Sequence, residues 1–184
     1  MRIQSLKHTA EAVLKLSHHD RVIVLGSSSL LATYPALGEP GQMLEPSIDA
    51  DLLLEPCDEQ LAMLLDEAVG QDRKFHEIFG YHADILRSAI TELLPRGWRE
   101  RLVPLPDCPG VVCLEPHDLA VAKLQAGRPK DLALLASLLA AKMLDEATIR
   151  LRIDHTRLDE KMVLIIFRKL QEALEIANNQ TIVS

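Results

Sequence analysis

Three aspartates carry the first chemical signal: Asp49 and Asp51 in SIDADLLLEP, and Asp84 in YHADILR. The first two lie in an apolar run, and strand side chains alternate with period two, so both carboxylates point to one face. They would then stand roughly 5–7 Å apart, where two anions repel by about 2–3 kcal/mol at an effective dielectric near 20. Solvent, a basic side chain, a raised pKa or a divalent cation must compensate. Magnesium suits the pair, because it takes one or two carboxylates together with substrate phosphates. The competing reading is a water-facing pair beside a turn. Asp84 occupies another strand-like stretch, and three carboxylates on neighbouring strands can bind two metals that clamp the oxygens of a phosphoryl transfer. Taken singly, it is a strand-end aspartate.

A second signal is GSSS, residues 26–29, placed directly after the apolar run VIVL. Gly26 permits a tight strand-to-helix turn and Ser27 could cap the helix that follows. Backbone N–H groups at such a turn also attract phosphate. Further along, EPHDLAVAKLQAGRPKDLALL holds Lys123, Arg128, Lys130 and Asp131 at a helix junction, which by themselves read as a solvated face with an ordinary salt bridge. His76 and His82 could line a site or lie on the surface. RGWRER either touches nucleic acid or forms a snorkelling surface turn.

The elements that must position these residues follow from periodicity. QSLKHTAEAVLKL places Leu6, Ala10, Val13 and Leu14 on one stripe, predicting a helix over residues 4–17. RVIVLG reads as a buried strand, SSLLATY as a helix ending before Pro35, and PALGEPGQMLEP, with three prolines and two glycines, as a loop. IDADLLL suits a central strand and CDEQLAMLLDEAVG a helix that stops at Gly70. FHEIFGYHADILR reads as a hairpin around Gly80, and VVCLEP as a further strand. After Pro116 the character changes to four helices, the first bounded by Pro116 and Gly127, with a frayed tail at NNQTIVS. The expectation is an α/β core over residues 1–115, a small mixed sheet flanked by helices, and a helical part over residues 116–184 packed on it.

Composition narrows the function classes. A net charge of −7 argues against a general nucleic-acid or membrane surface, and 3% aromatics against a base-stacking platform. No run approaches the roughly 18 apolar residues of a membrane span, and the N-terminus lacks the pattern of a signal peptide. Three cysteines without CxxC spacing argue against zinc and for reduced thiols. A cytoplasmic protein is expected.

Taken in order, Gly26-Ser27, Asp49-Ala50-Asp51 and Asp84 resemble the nucleotidyltransferase superfamily built on the DNA polymerase beta catalytic fold. The segment Lys123, four residues, Arg128, then Lys130 and Asp131 sharpens the match. It looks like the helical segment of minimal bacterial nucleotidyltransferases related to abortive-infection toxins. Two features depart from the pattern: the Pro/Gly loop lengthens the gap from Gly26 to Asp49, and Ser29 stands where related chains often have a small apolar residue.

The resemblance implies a magnesium-dependent enzyme with an NTP as substrate. Gly26, Ser27 and Ser28 would hold the triphosphate. Asp49 and Asp51 would coordinate magnesium, and Asp84 would complete a second metal site and help a substrate hydroxyl attack. Lys123 and Arg128 would neutralise the triphosphate, and Asp131 would orient one of these bases or bind substrate. The acceptor would be a tRNA end, a protein hydroxyl or a small molecule. Two alternatives stand beside this: a toxin paired with an antitoxin or homo-oligomer partner, and a catalytically inactive binding module.

Overall fold

The stripe of Leu6, Ala10 and Val13 is buried along α1 (Ile3–Ser17), the first helix of the computed structural model. The model describes the backbone of residues 1–183 and the side chains of residues 1–180. β1 (Val22–Val24) is buried throughout, as its unbroken apolar run requires. Alongside it lies β2 (Asp49–Leu53), followed in the chain by β3 (His82–Ile85), β4 (Val103–Pro104) and β5 (Val111–Cys113). They form one mixed sheet in the order β3-β2-β1-β5-β4. β1 runs antiparallel to β2 and parallel to β5, while β2 and β3 are parallel. The α/β class with a helical C-terminal part is the observed one.

A parallel pair needs a crossover. Here it is α2 (Glu59–Val69) and α3 (Lys74–Phe79). α2 opens at Asp58, whose carboxylate accepts the Leu61 N–H at 2.8 Å, and closes at Gly70. α3 corrects the expected hairpin: FHEIF is helical, Gly80 ends it in the left-handed conformation (φ 75°), and only the second half is a strand. Phe75 and Phe79 pack with His8 and Tyr81 at ring separations of 4.5–6.0 Å. That packing and the glycine stop outweigh the strand propensity of isolated aromatics.

SSLLATY also differs from expectation. It is a 3-10 helix, Ser27–Ala32, followed by a 3-10 turn at Pro35–Gly38. The six residues between Gly26 and the approach to Pro35 are too few to repay α-helix nucleation, and the Ser29 N–H bonds Gly26 C=O at 2.9 Å. Within the Pro/Gly loop, Leu37 and Leu44 are buried and joined by a backbone hydrogen bond of 2.9 Å. The loop is therefore a packed segment leading into β2.

Contacts divide the chain into two compact units: Met1–Ile90 with Arg99–Glu115, and Thr91–Trp98 with the residues from Pro116 on. The first contains the sheet, with α1 packed on β1, β2 and β3, and α2 beside it. The second contains α4 (Pro116–Ala126), α5 (Pro129–Ala140), α6 (Glu146–Asp154) and α7 (Glu160–Val183). α5 packs on α7 with Leu135, Ala136, Ile166 and Leu170 buried. Asp118, fully buried on α4, is held 3.2 Å from Arg152 on α6. Within RGWRER, Trp98 is buried in this unit, and Arg99 pairs with Glu55 at 2.6 Å in the first unit. α7 continues to Val183 where fraying was expected, while Ser184 lies outside the described residues.

Candidate functional site

The β2–β3 register brings the aspartates together. Asp51 stands opposite Asp84 and Asp49 opposite His82, so four side chains share one face of the parallel pair. Ala50 and Leu52 take the other face and are fully buried. One oxygen from each of Asp49, Asp51 and Asp84 can be chosen so that all lie within 4.8 Å of one another. At that spacing each pair of charges repels by about 3 kcal/mol at an effective dielectric near 20. The Ser47 hydroxyl offsets part of this by donating to Asp49 Oδ1 at 2.9 Å. A set of hard oxygen ligands, half-buried and mutually repelling, suits a divalent cation.

Gly26 is shaped by Asp51. The Leu25 N–H donates to Asp51 C=O at 3.0 Å, and a Cβ built on Gly26 would run into the Asp51 carboxylate. Its φ of −84° and ψ of −167° suit any residue. Close approach, then, and not conformational freedom, selects glycine here. The expected Ser27 cap is absent: Gly26 is the cap residue of the 3-10 segment, Ser27 is its first residue, and no side chain caps it. Ser27 is half-buried, whereas the Ser28 and Ser29 hydroxyls are enclosed without a hydrogen-bond partner.

The helical unit holds a second charged group. Asp131, 2% exposed, accepts Arg128 through Nε at 2.6 Å and a second guanidinium nitrogen at 3.2 Å, with Lys123 Nζ at 3.3 Å. Burial alone would raise the Asp131 pKa, but the Arg128 hydrogen bonds and the Lys123 charge outweigh it and hold the carboxyl below its ordinary value. Gly127 ends α4 at φ 59°, and a Cβ there would meet the Lys169 side chain. Lys169 Nζ donates to Gln125 C=O at 3.2 Å, which brings a residue of α7 to the same turn. Lys130 is exposed.

These arrangements can be set beside known proteins. A family model described as a nucleotidyltransferase of unknown function (DUF6036) matches residues 2–175. The chain belongs to this nucleotidyltransferase family. No curated protein and no solved structure matches it. Nucleotidyltransferases generally use divalent metals and act on NTPs, and the three aspartates of this member are neighbours in space. Among the described residues no helix is long and apolar enough to cross a membrane.

Sequence reasoning passed over one residue of this family member, Ser47, and left another, His82, open. Ser47 sits two positions before Asp49, on the side that a strand would direct to the same face, so a period-two reading could have found it. His82 reads in the sequence as a residue that could line a site or lie on the surface. Its place opposite Asp49 depends on a parallel register that no local pattern displays. The three cysteines are all free, and burial pushes the Cys113 thiol up to about 12, which leaves it unreactive.

Proposed function

We propose that this family member catalyses divalent-metal-dependent transfer of a nucleoside monophosphate from an NTP to an acceptor hydroxyl. The observation that carries the reading is the convergence of Asp49, Asp51 and Asp84 on one face beside a glycine that leaves room for Asp51. Asp49 and Asp51 would hold magnesium, and Asp84 would complete a two-metal set. Bound magnesium would offset the charge of these carboxylates and of the triphosphate and polarise the phosphoryl oxygens.

Each side chain then has a task. Asp84, whose side chain is 46% exposed, is open to the acceptor and accepts the hydroxyl proton. The acceptor oxygen forms its bond to the α-phosphorus while the bond to the bridging oxygen breaks, and pyrophosphate leaves. Gly26 and Ser27 approach the phosphates from the end of β1, the serine hydroxyl donating. To Lys123 and Arg128 the family resemblance alone assigns the neutralisation of phosphate charge, as a point charge and a planar fork. Asp131 orients both bases, which its contacts to Arg128 and Lys123 support. Positioning and charge neutralisation are most of what such a transfer requires. The acceptor is a tRNA end, a protein hydroxyl or a small molecule.

The test is isothermal titration of ATP, GTP, CTP and UTP with magnesium, on wild type and on Asp49→Ala/Asp51→Ala, followed by measurement of pyrophosphate release. Binding that needs both the metal and the aspartates supports the reading, and the preferred base narrows the acceptor search. Folded wild type that binds no nucleotide assigns the chain to a non-catalytic module.

A further inference from the structure

We propose that His82 is a positioning residue of the carboxylate set: its Nε2–H donates to Asp84 and fixes which carboxylate oxygen remains for the metal and the acceptor. The inference rests on the reading of Asp84 as part of a metal site. His82 Nε2 lies 3.4 Å from Asp84 Oδ1, on a ring that is only 4% exposed. Its Nδ1 is buried and has no hydrogen-bond partner.

Between the two neutral tautomers these two facts favour the one with its proton on Nε2. A proton on Nδ1 would bury an unpaired donor and turn the Nε2 lone pair toward a carboxylate, and each is unfavourable. A proton on Nε2 removes both costs and leaves only a lone pair unmatched. A second imidazole holds the ring from outside: His76 on α3 lies 4.8 Å away between centroids, tilted by 50°. His76 is itself anchored, its Nδ1 accepting the Asp72 N–H at 3.1 Å. His82 thus lies between the sheet and α3, with Nε2 3.4 Å from Asp84 Oδ1. Ser47 does the corresponding work at Asp49 Oδ1. Donors of this kind, one step removed from a metal, typically change its affinity by about 10–100-fold.

The variants separate a donor from a filler. His82→Phe keeps a ring against His76 and removes both nitrogens, whereas His82→Gln keeps a donor. Titration with Mn2+ alone should show His82→Phe at least about tenfold weaker than wild type, and His82→Gln closer to wild type than to His82→Phe. In the Asp84→Ala background the His82→Phe change should cost nothing more. A metal-free arm uses imidazole 15N spectra: His82 should be the Nε2–H tautomer, with its signals shifted by Asp84→Ala.

Wild type that binds Mn2+ through Asp49 and Asp51, with folded His82→Phe binding equally well, overturns the positioning role and leaves the metal reading intact. Wild type that binds no Mn2+ overturns both. Should His82→Phe fail to fold, the spectra decide: an Nδ1–H tautomer, or signals unmoved by Asp84→Ala, sinks the inference.

Discussion

At Gly26 the limiting quantity is space. Alanine has no conformational objection to φ −84°, so Gly26→Ala isolates the effect of one methyl group pressed on the Asp51 carboxylate. The methyl must displace Asp51 from Asp49 and Asp84, because the alternative is to part β1 from β2, which the Leu25–Asp51 hydrogen bond opposes. Mn2+ affinity is expected to fall by about tenfold or more, the size of effect seen when a ligand's support is lost. Circular dichroism should show the fold retained. Metal affinity equal to wild type would mean that Asp51 takes no part in binding.

Among the elements, the α4–α5 junction is the clearest case of local sequence acting through tertiary partners. Gly127 turns the chain, Pro129 starts α5, and Asp131 in its first turn gathers Lys123 and Arg128. Asp131→Asn leaves two cations facing an enclosed neutral amide and should cost about 3 kcal/mol, the low end for a broken buried pair, since Arg128 is half exposed. Because the folded carboxyl lies below its unfolded value near 3.9, its stabilisation is fully present above about pH 4. It is lost as pH falls through the folded value. Melting temperatures measured from pH 7 to pH 2.5 should therefore fall more steeply in acid for wild type than for Asp131→Asn. Parallel curves would remove this carboxylate from the acid response.

The whole molecule carries a net charge of −7, so whatever binds a triphosphate must do so through local groups against an unfavourable global field. The carboxylates belong to one compact unit and the Lys123–Arg128 cluster to the other. If each group does the work proposed, their contributions separate cleanly by ligand. Lys123→Ala should weaken Mg-ATP binding severalfold, with a shallower salt dependence, and leave the affinity for Mn2+ alone unchanged. A loss of Mn2+ binding in that variant would assign Lys123 to support of the fold.

The sequence by itself determined the class of the fold, the period-two placement of Asp49 and Asp51, the helices bounded by Pro116, Gly127 and Pro129, and the family resemblance, because each depends on neighbours along the chain. It misread FHEIF, although Phe75, Ile78 and Phe79 have helical spacing, because Gly80 serves a hairpin and a helix stop equally well. It assigned Gly26 to turn geometry when the cause is a carboxylate on another strand. The meeting of Asp84 with Asp51, the place of His82 opposite Asp49 and the arrival of Lys169 beside Gly127 were decided only by tertiary structure. Each depends on strand register or helix docking, and those are settled by the burial of apolar faces far apart in the chain, which no short window of sequence contains.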